Sequence, residues 1–172
     1  LKAHQGKGVA VLVGIRSARG KMILFADDDL EFDLSALPTL VEGVKGGADL
    51  VNGRRVGGGR RSLFPRLATS FLLQLFRLCN PWEVTDPTSP VKCAKKELFD
   101  CLDDFPWFRA FPHEFAVVIA RRGVEVPVQM QARRTTMSRF SPTALARECV
   151  GLGFALARCA FGRAYIRTNR CG

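Results

Sequence analysis

Three consecutive aspartates, Asp27 to Asp29, follow a short apolar run and are the residues best suited to chemistry in this 172-residue chain. Met22 to Ala26 predict a buried strand, and side chains two apart on an extended backbone point the same way. Asp27 and Asp29 are therefore expected to converge where the strand ends. Adjacent carboxylates repel each other unless a cation lies between them, and Mg²⁺ or Mn²⁺ prefers such oxygen ligands. The alternative is an acidic turn that caps the next helix.

A glycine-lysine-glycine sequence, which predicts a turn, lies upstream of these three aspartates. Residues 6–8 read Gly-Lys-Gly, a helix is predicted over Val9–Ala18, and Gly20 precedes the strand and its acids. This order and spacing resembles the inverting family-two glycosyltransferases, most closely the polyprenyl-phosphate hexose synthases of the dolichyl-phosphate glucosyltransferase and dolichyl-phosphate mannose synthase type. Their pattern is an Asn-x-Gly-Lys-Gly turn, a helix, Ala-x-Gly, a strand and Asp-x-Asp.

Two later segments resemble the same family. Thr85–Lys96 is similar to the Asp-x-Thr-Ser-Gly-Phe-Arg stretch of these enzymes, with Pro90 in place of the glycine. The matching positions are Asp86, Thr88 and Ser89. Arg133–Arg139 is similar to an Arg-x-x-Gly-x-Ser-Lys stretch, with Thr136 in place of the glycine. The resemblance covers the chain up to about Phe140.

The resemblance implies a single inverting displacement, in which a polyprenyl-phosphate oxygen attacks the anomeric carbon of a nucleotide-sugar with help from Mg²⁺ or Mn²⁺. It implies metal binding by Asp27, Asp29 and Glu31, and catalytic roles for Asp86 and Asp29. Contacts with the nucleotide-sugar and its phosphates fall to a larger set: Lys7, Asp27, Arg55, Arg133, Ser138 and Arg139. For the three arginines the alternative is a solvated surface charge. Glu114 aligns with an acid of the acceptor-side helix, and an exposed helix carboxylate is equally compatible with the sequence.

Alternating strands and helices predict an α/β fold, with a mostly parallel sheet flanked by helices on both faces. The resemblance implies the Rossmann-like nucleotide-diphospho-sugar transferase fold, N-terminally incomplete, because nothing before the Gly-Lys-Gly turn resembles the family's base-binding strand. We therefore expect residues 1–172 to be the C-terminal portion of one glycosyltransferase domain, inactive alone, with a helix and basic tail over 141–172. Further elements are predicted over Asp49–Asn52 and Val124–Met130 as strands, and over Phe64–Cys79, Pro112–Arg121 and 142–161 as helices.

The net charge of +10 and a pI near 9.9 favour polyanionic partners. The sequence contains no helix-turn-helix, zinc-finger or RNA-binding aromatic signature, so anionic lipid and phosphate ligands are preferred and no nucleic acid is expected. The predicted helix over Phe64–Cys79 has a wide apolar face and a basic stripe, which suits either an interfacial helix or a core helix. We expect a peripheral protein on the cytosolic face of a membrane, the endoplasmic reticulum in a eukaryote or the plasma membrane in a bacterium.

Two other classes of function remain open at this stage. A truncated, non-catalytic relative would dock on a membrane or a partner chain, and a basic module would bind nucleic acid through charge alone. The six cysteines form no Cys-x-x-Cys pair, which argues against a zinc site. Several lie at apolar helix positions, so we predict reduced thiols that pack as small hydrophobic side chains.

Overall fold

The computed structural model describes residues 6–27, 31–57, 63–80, 82–131 and 142–161. Within these ranges the helices and strands are, in chain order, α1 (Lys7–Ser17), β1 (Met22–Phe25), α2 (Leu37–Lys45), β2 (Leu50–Val56), α3 (Leu63–Cys79), β3 (Lys92–Lys95), α4 (Pro112–Ile119), β4 (Gly123–Gln129) and α5 (Pro142–Phe161). Short 3₁₀ turns join several of them, the first capped by the Asp33 carboxylate, which accepts from the Ser35 N–H. None of the helices in the described ranges has the length and apolarity that crossing a bilayer requires.

The four strands form one mixed sheet in the order β1-β3-β2-β4. β3 pairs antiparallel with β1 and with β2, whereas β2 and β4 are parallel. It follows that β1, β2 and β4 point the same way and that β3 alone is reversed between them. β4 forms an edge of this sheet, which suits Pro127, because proline cannot donate to a further strand.

Helices cover both faces of the sheet. Along β2, Leu50 belongs to the larger hydrophobic cluster, with α1, α3, α4 and α5, and Val51 belongs to the smaller one beneath α2. Along β3, Ala94 and Cys93 divide in the same way. This alternation follows from the two-residue period of a strand, and it explains why consecutive residues in the middle of each strand are apolar. The predicted α/β class with flanking helices is confirmed.

Asp49 directly precedes β2 and stabilises the amino-terminal end of that strand. Its carboxylate accepts from Lys95 Nζ at 2.8 Å and from the Arg121 and Arg122 N–H groups at 3.2 and 3.0 Å. Burial raises the pKa of Asp49, but these bonds and the Lys95 charge outweigh it, and the pKa lies below its usual value. Lys95 and Asp49 thus tie β3 to β2 and to the α4–β4 turn.

Among the cysteines in the described ranges, the prediction of reduced thiols is wrong for Cys101. Cys101 is disulfide-bonded, whereas Cys79, Cys93, Cys149 and Cys159 are thiols. Of these four, Cys79, Cys93 and Cys159 are buried and pack as small apolar side chains.

Candidate active site

One edge of the sheet collects the charged residues of interest. Asp27 follows the carboxyl end of β1, and Arg55 lies near the carboxyl end of β2. β3 is reversed, so its first residue, Lys92, lies at this same edge, in register with Phe25 of β1 and Asn52 of β2. In open α/β sheets the carboxyl ends of the strands are where ligands bind. The topology alone therefore marks this edge as the candidate site.

The Gly-Lys-Gly turn brings Lys7 to Asp27. Gly6 has a φ of 89°, a left-handed conformation that glycine adopts without strain. A Cβ on Gly8 would lie 2.2 Å from the Ala110 carbonyl oxygen, so only glycine allows α1 to start this close to that turn. Lys7, the first residue of α1, then places its Nζ 2.7 Å from Asp27 Oδ1. Because both side chains are partly exposed, we expect the pair to contribute under about 1 kcal/mol, so a ligand can replace either partner at little cost.

A second ion pair joins Arg55 to Asp86 across 31 residues. Arg55 Nε donates to Asp86 Oδ2 at 2.7 Å and Arg55 Nη2 donates to Oδ1 at 2.5 Å. The Arg55 backbone N–H adds a third bond to Oδ2 at 3.0 Å, and Nη2 also reaches Thr88 Oγ1 at 3.1 Å. Burial raises the pKa of Asp86, but the hydrogen bonds and charge of Arg55 outweigh it and hold that pKa below its usual value. Asp86 is therefore a fixed, ionised carboxylate.

Lys92 is a buried cation that the sequence analysis left without a role. Its side chain has no exposed surface, and its Nζ donates to the Ser89 carbonyl oxygen. Burial lowers the pKa of Lys92 to about 8, against the opposing pull of the Glu114 and Asp86 carboxylates. A lysine within the otherwise apolar run Val-Lys-Cys-Ala, residues 91–94, is the signal that could have identified it. Its charge interacts with acids from α4 and from the segment before β3, so it lies at the centre of the charged edge.

Two titratable side chains of α4 face the same centre. Burial raises the pKa of Glu114, and the charge of Lys92 only partly offsets that effect. Burial lowers the pKa of His113 to about 3, with a further contribution from the positive charges of Lys92 and Lys7. The His113 ring lies edge-on to Phe25 at 4.6 Å between centroids. His113 is therefore neutral near pH 7. Both side chains of α4 lie close to Lys92 at the candidate site.

A polar cluster beneath Asp86 contains residues that the sequence analysis missed. Asn52 Nδ2 donates to the Asp86 carbonyl oxygen and to Glu125 Oε1, both at 2.8 Å. Asn52 is completely buried in β2. A polar residue at the end of the Leu-Val-Asn run, and an acid opening Glu-Val-Pro-Val, were the available signals.

The residues predicted for the site divide into three groups. Lys7 contacts Asp27, and Arg55 contacts Asp86, so the structure brings these four together in two pairs. Glu31 lies beside the bridge between Phe32 and Met130, and its carbonyl oxygen accepts from the Gln131 N–H at 3.0 Å. The remaining predicted residues lie outside the described ranges: Asp29, Arg133, Ser138 and Arg139.

Metal binding by Asp27, Asp29 and Glu31 stays a prediction. In the described ranges no three His, Cys, Asp or Glu side chains are grouped closely enough to hold a metal ion, and Asp29 is not among the residues considered. The Asp27 carboxylate does hold a cation, the Lys7 ammonium, at 2.7 Å. An oxygen ligand at a strand end that already attracts positive charge is compatible with a hard divalent ion. Asp27 therefore offers one oxygen ligand of the kind that such an ion prefers.

Comparison with known proteins identifies relatives of this chain. The family described as "Glycosyl transferase family 2" matches residues 1–115. A dolichol-phosphate mannosyltransferase from Pyrococcus furiosus is 28% identical over 103 residues, which cover 56% of this chain and 29% of that protein. The chain thus spans less than a third of that relative's length.

Two solved structures share the fold. Glucosyl-3-phosphoglycerate synthase from Mycobacterium tuberculosis, in complex with phosphoglyceric acid, superposes with a TM-score of 0.55 at 19% identity, covering 95% of this chain and 56% of that one. Mannosyl-3-phosphoglycerate synthase from Rubrobacter xylanophilus gives a TM-score of 0.54 at 20% identity, covering 95% and 52%. At these identities the likeness concerns the fold alone.

Proposed function

Because this chain belongs to glycosyltransferase family 2, we propose that it forms part of an enzyme that transfers a hexose from a nucleotide-sugar to a polyprenyl phosphate with inversion at the anomeric carbon. The observation that carries the proposal is the convergence of two ion pairs, Lys7–Asp27 and Arg55–Asp86, with the buried Lys92 at one edge of the sheet. Nucleotide-sugars are the donors expected for this family. The acceptor is inferred from the name of the relative in Pyrococcus furiosus, a dolichol-phosphate mannosyltransferase.

The side chains at the sheet edge suit an exchange between two phosphate-bearing molecules. A phosphate monoester is largely ionised near pH 7, so its oxygen attacks without a strong base. The negative charge that builds up on the departing nucleoside diphosphate is the main cost of the reaction, and fixed cations reduce that cost. Lys7, at the start of α1, is placed to bind one phosphate. Lys92 stabilises negative charge from beneath the site, and Asp86 orients the acceptor or the sugar.

Asp27, Asp29 and Glu31 would hold Mg²⁺ or Mn²⁺ in this proposal, and a bound ion would neutralise charge on the diphosphate. With Asp27 on the metal, Lys7 would be available to bind the phosphate. This exchange is easy, because the Lys7 and Asp27 side chains are 56% and 31% exposed and their pair is weak. Arg133, Ser138 and Arg139 remain proposed phosphate contacts, arginine being suited to binding two phosphate oxygens at once.

A transfer assay tests the proposed function on the complete natural protein that contains this chain. Radiolabel from UDP-glucose or GDP-mannose is expected to enter the organic phase when dolichyl phosphate is present. A chelator should abolish the transfer, and added Mg²⁺ or Mn²⁺ should restore it. Label that stays in the aqueous phase with every donor, from a folded protein, would contradict the proposal. A labelled water-soluble product formed from a phosphorylated small acceptor would keep the transferase and replace the lipid.

We also propose that the protein binds the cytosolic face of an anionic membrane as a peripheral protein, at the endoplasmic reticulum in a eukaryote or the plasma membrane in a bacterium. The α3–α5 surface carries large apolar side chains that are 56–73% exposed: Phe71, Leu78, Val150 and Phe154. The two helices pack together, since a Cβ on Gly153 would lie 3.8 Å from Leu72. Exposed arginines on both helices, Arg77 and Arg147 among them, complement anionic headgroups.

Replacing Phe71 and Phe154 together by serine is expected to weaken binding to phosphatidylserine vesicles at least about 10-fold, because two apolar side chains no longer enter the bilayer. Vesicle sedimentation measures the bound fraction. Leu34→Ser, at an exposed leucine before α2, is the matched control and should leave binding unchanged. Equal binding by the double variant and the wild type would refute a membrane role for the α3–α5 surface.

A further inference from the structure

We propose that Glu125 is a positioning residue, which holds the backbone of Asp86 from β4 and thereby places the Asp86–Arg55 pair in the candidate site. The inference rests on the proposed function, and it adds a residue that touches neither substrate. Glu125 lies in the strand at the edge of the sheet, whereas Asp86 lies in the irregular segment before β3. A loop residue that needs a fixed position must obtain it from a rigid element.

Both oxygens of the Glu125 carboxylate are used to hold that segment. Oε1 accepts from the Asp86 N–H at 3.0 Å and from Asn52 Nδ2 at 2.8 Å, and Oε2 accepts from Thr85 Oγ1 at 2.5 Å. These three donors come from β2 and from two successive residues of the segment. One side chain therefore fixes the peptide that carries Asp86 relative to the sheet.

The position of Glu125 follows from the sheet register. Asn52 and Glu125 are partners in the parallel pair of β2 and β4, so their side chains emerge next to each other on the same face. Asn52 uses its two amide hydrogens for Glu125 and for the Asp86 carbonyl oxygen. Both backbone polar groups of Asp86, the N–H and the C=O, thus bind side chains of adjacent strands.

The consequence for the site is that the Asp86 carboxylate has little freedom. The backbone of Asp86 is held from β2 and β4, and its carboxylate oxygens accept hydrogen bonds from Nε, Nη2 and the backbone N–H of Arg55. Ser89, farther along the segment, donates its hydroxyl to the Gly53 carbonyl oxygen and fixes the other end of the same loop. Loss of Glu125 releases the peptide at residues 85 and 86 but leaves the fixed end at Ser89.

Glutamine separates this role from a catalytic one. In Glu125→Gln the amide oxygen still accepts from Asn52 Nδ2 and the Asp86 N–H, and the amide nitrogen donates to Thr85 Oγ1, since a hydroxyl also accepts. A general base would be lost in the same variant, because an amide does not take a proton. Glu125→Ala removes all three hydrogen bonds.

The test measures amide hydrogen exchange at Asp86 together with kcat and KM for hexosyl transfer. Glu125→Ala is expected to speed exchange at the Asp86 N–H about 10-fold, as loss of its bonding partner requires. It should lower kcat about 100-fold, the effect of a misplacement near 1 Å. Glu125→Gln should remain within about 5-fold of wild type in both readouts, because its hydrogen bonds persist. Glu83→Ala, an exposed acid of the same segment, is the control and should change neither.

Two results overturn the inference. One is unchanged exchange at Asp86 in Glu125→Ala, and the other is a loss of activity in Glu125→Gln as large as in Glu125→Ala. Thr85→Val, which removes one bond of the three, provides a second variant with an intermediate effect if Glu125→Ala does not fold. The exchange measurement needs no activity, so a protein that shows no transfer at all would refute the proposed function and leave the positioning of Asp86 to be decided by exchange alone.

Discussion

Replacement of Asp86 by asparagine is expected to lower kcat/KM for hexosyl transfer about 10²- to 10³-fold while the protein stays folded. Asparagine keeps the shape of the side chain and one oxygen for the Arg55 fork, but it carries no charge. In the wild type, the lowered pKa of Asp86 keeps this carboxylate ionised at neutral pH. The variant therefore mimics a protonated Asp86 and leaves the Arg55 guanidinium, which is 21% exposed, without its counter-ion.

Steady-state kinetics on Asp86→Asn and on a matched control decide this prediction. Asp103 provides the control, because Arg16 Nη2 contacts both its oxygens, at 2.7 and 2.8 Å, in a pair that is more than half exposed. Asp103→Asn should keep kcat/KM within about twofold, as an exposed pair contributes little. If Asp86→Asn retains activity equal to that of Asp103→Asn, Asp86 has no part in the reaction.

The lowered pKa of Asp86 also affects the stability of the folded protein. The stability that it provides is present at pH values above the usual carboxyl pKa of 3.8 and is lost as the pH falls below that value.

The long periodic elements could be predicted from the sequence, and so could the family. The helix predicted over Phe64–Cys79 is observed as Leu63–Cys79, and the strand predicted over Val124–Met130 is observed as Gly123–Gln129. Their apolar residues repeat with one period over seven or more positions, so no tertiary information was needed. The predicted family is confirmed by the match over residues 1–115, which include the Gly-Lys-Gly turn, the three aspartates and Thr85–Lys96. The Arg133–Arg139 motif lies beyond that match.

The direction of β3 could not be predicted. Four residues, Lys92 to Lys95, contain apolar and polar positions that read equally well in either direction. β3 pairs antiparallel with both β1 and β2, which are distant from it in sequence, so its direction is set by pairing between distant segments. The other three strands, β1, β2 and β4, run the same way, as the predicted sheet requires, and β3 alone is reversed.

The pairing of site residues was likewise beyond the sequence. Lys7, Asp27, Arg55 and Asp86 were each predicted from a motif, but the motifs do not say which carboxylate each cation meets. The Arg55–Asp86 pair joins positions 31 residues apart through a loop whose course is set by Glu125. Hydrogen bonds of this kind depend on strand register, and register is specified only when the sheet assembles.

Lys92→Met is expected to reduce hexosyl transfer at least about 100-fold without lowering the free energy of unfolding by more than about 1 kcal/mol. The activity falls because a fixed cation near the phosphates is removed. The stability is kept because methionine fills the same volume and a buried charge contributes little net stability. Lys95→Met, three residues along β3, should behave in the opposite way, since Lys95 forms the structural bond of 2.8 Å to Asp49. It should lose stability and retain the chemistry of the site.

The pH dependence of unfolding isolates the Lys92 charge. Its pKa is about 8 in the folded protein and about 10.5 when unfolded, so between these pH values the unfolded chain binds the extra proton. Stability must then rise with pH through this window, by roughly 3 kcal/mol if Lys92 acts alone. Lys92→Met has no ionisable group at this position, so its stability should not rise with pH in this window. Denaturant unfolding of both proteins from pH 7 to 11 measures the difference, and identical slopes would show that Lys92 titrates normally. Lys92 costs stability in its ionised form and is nevertheless buried at the ligand edge, and the proposed function explains this cost, because from beneath the site its charge would stabilise the departing diphosphate.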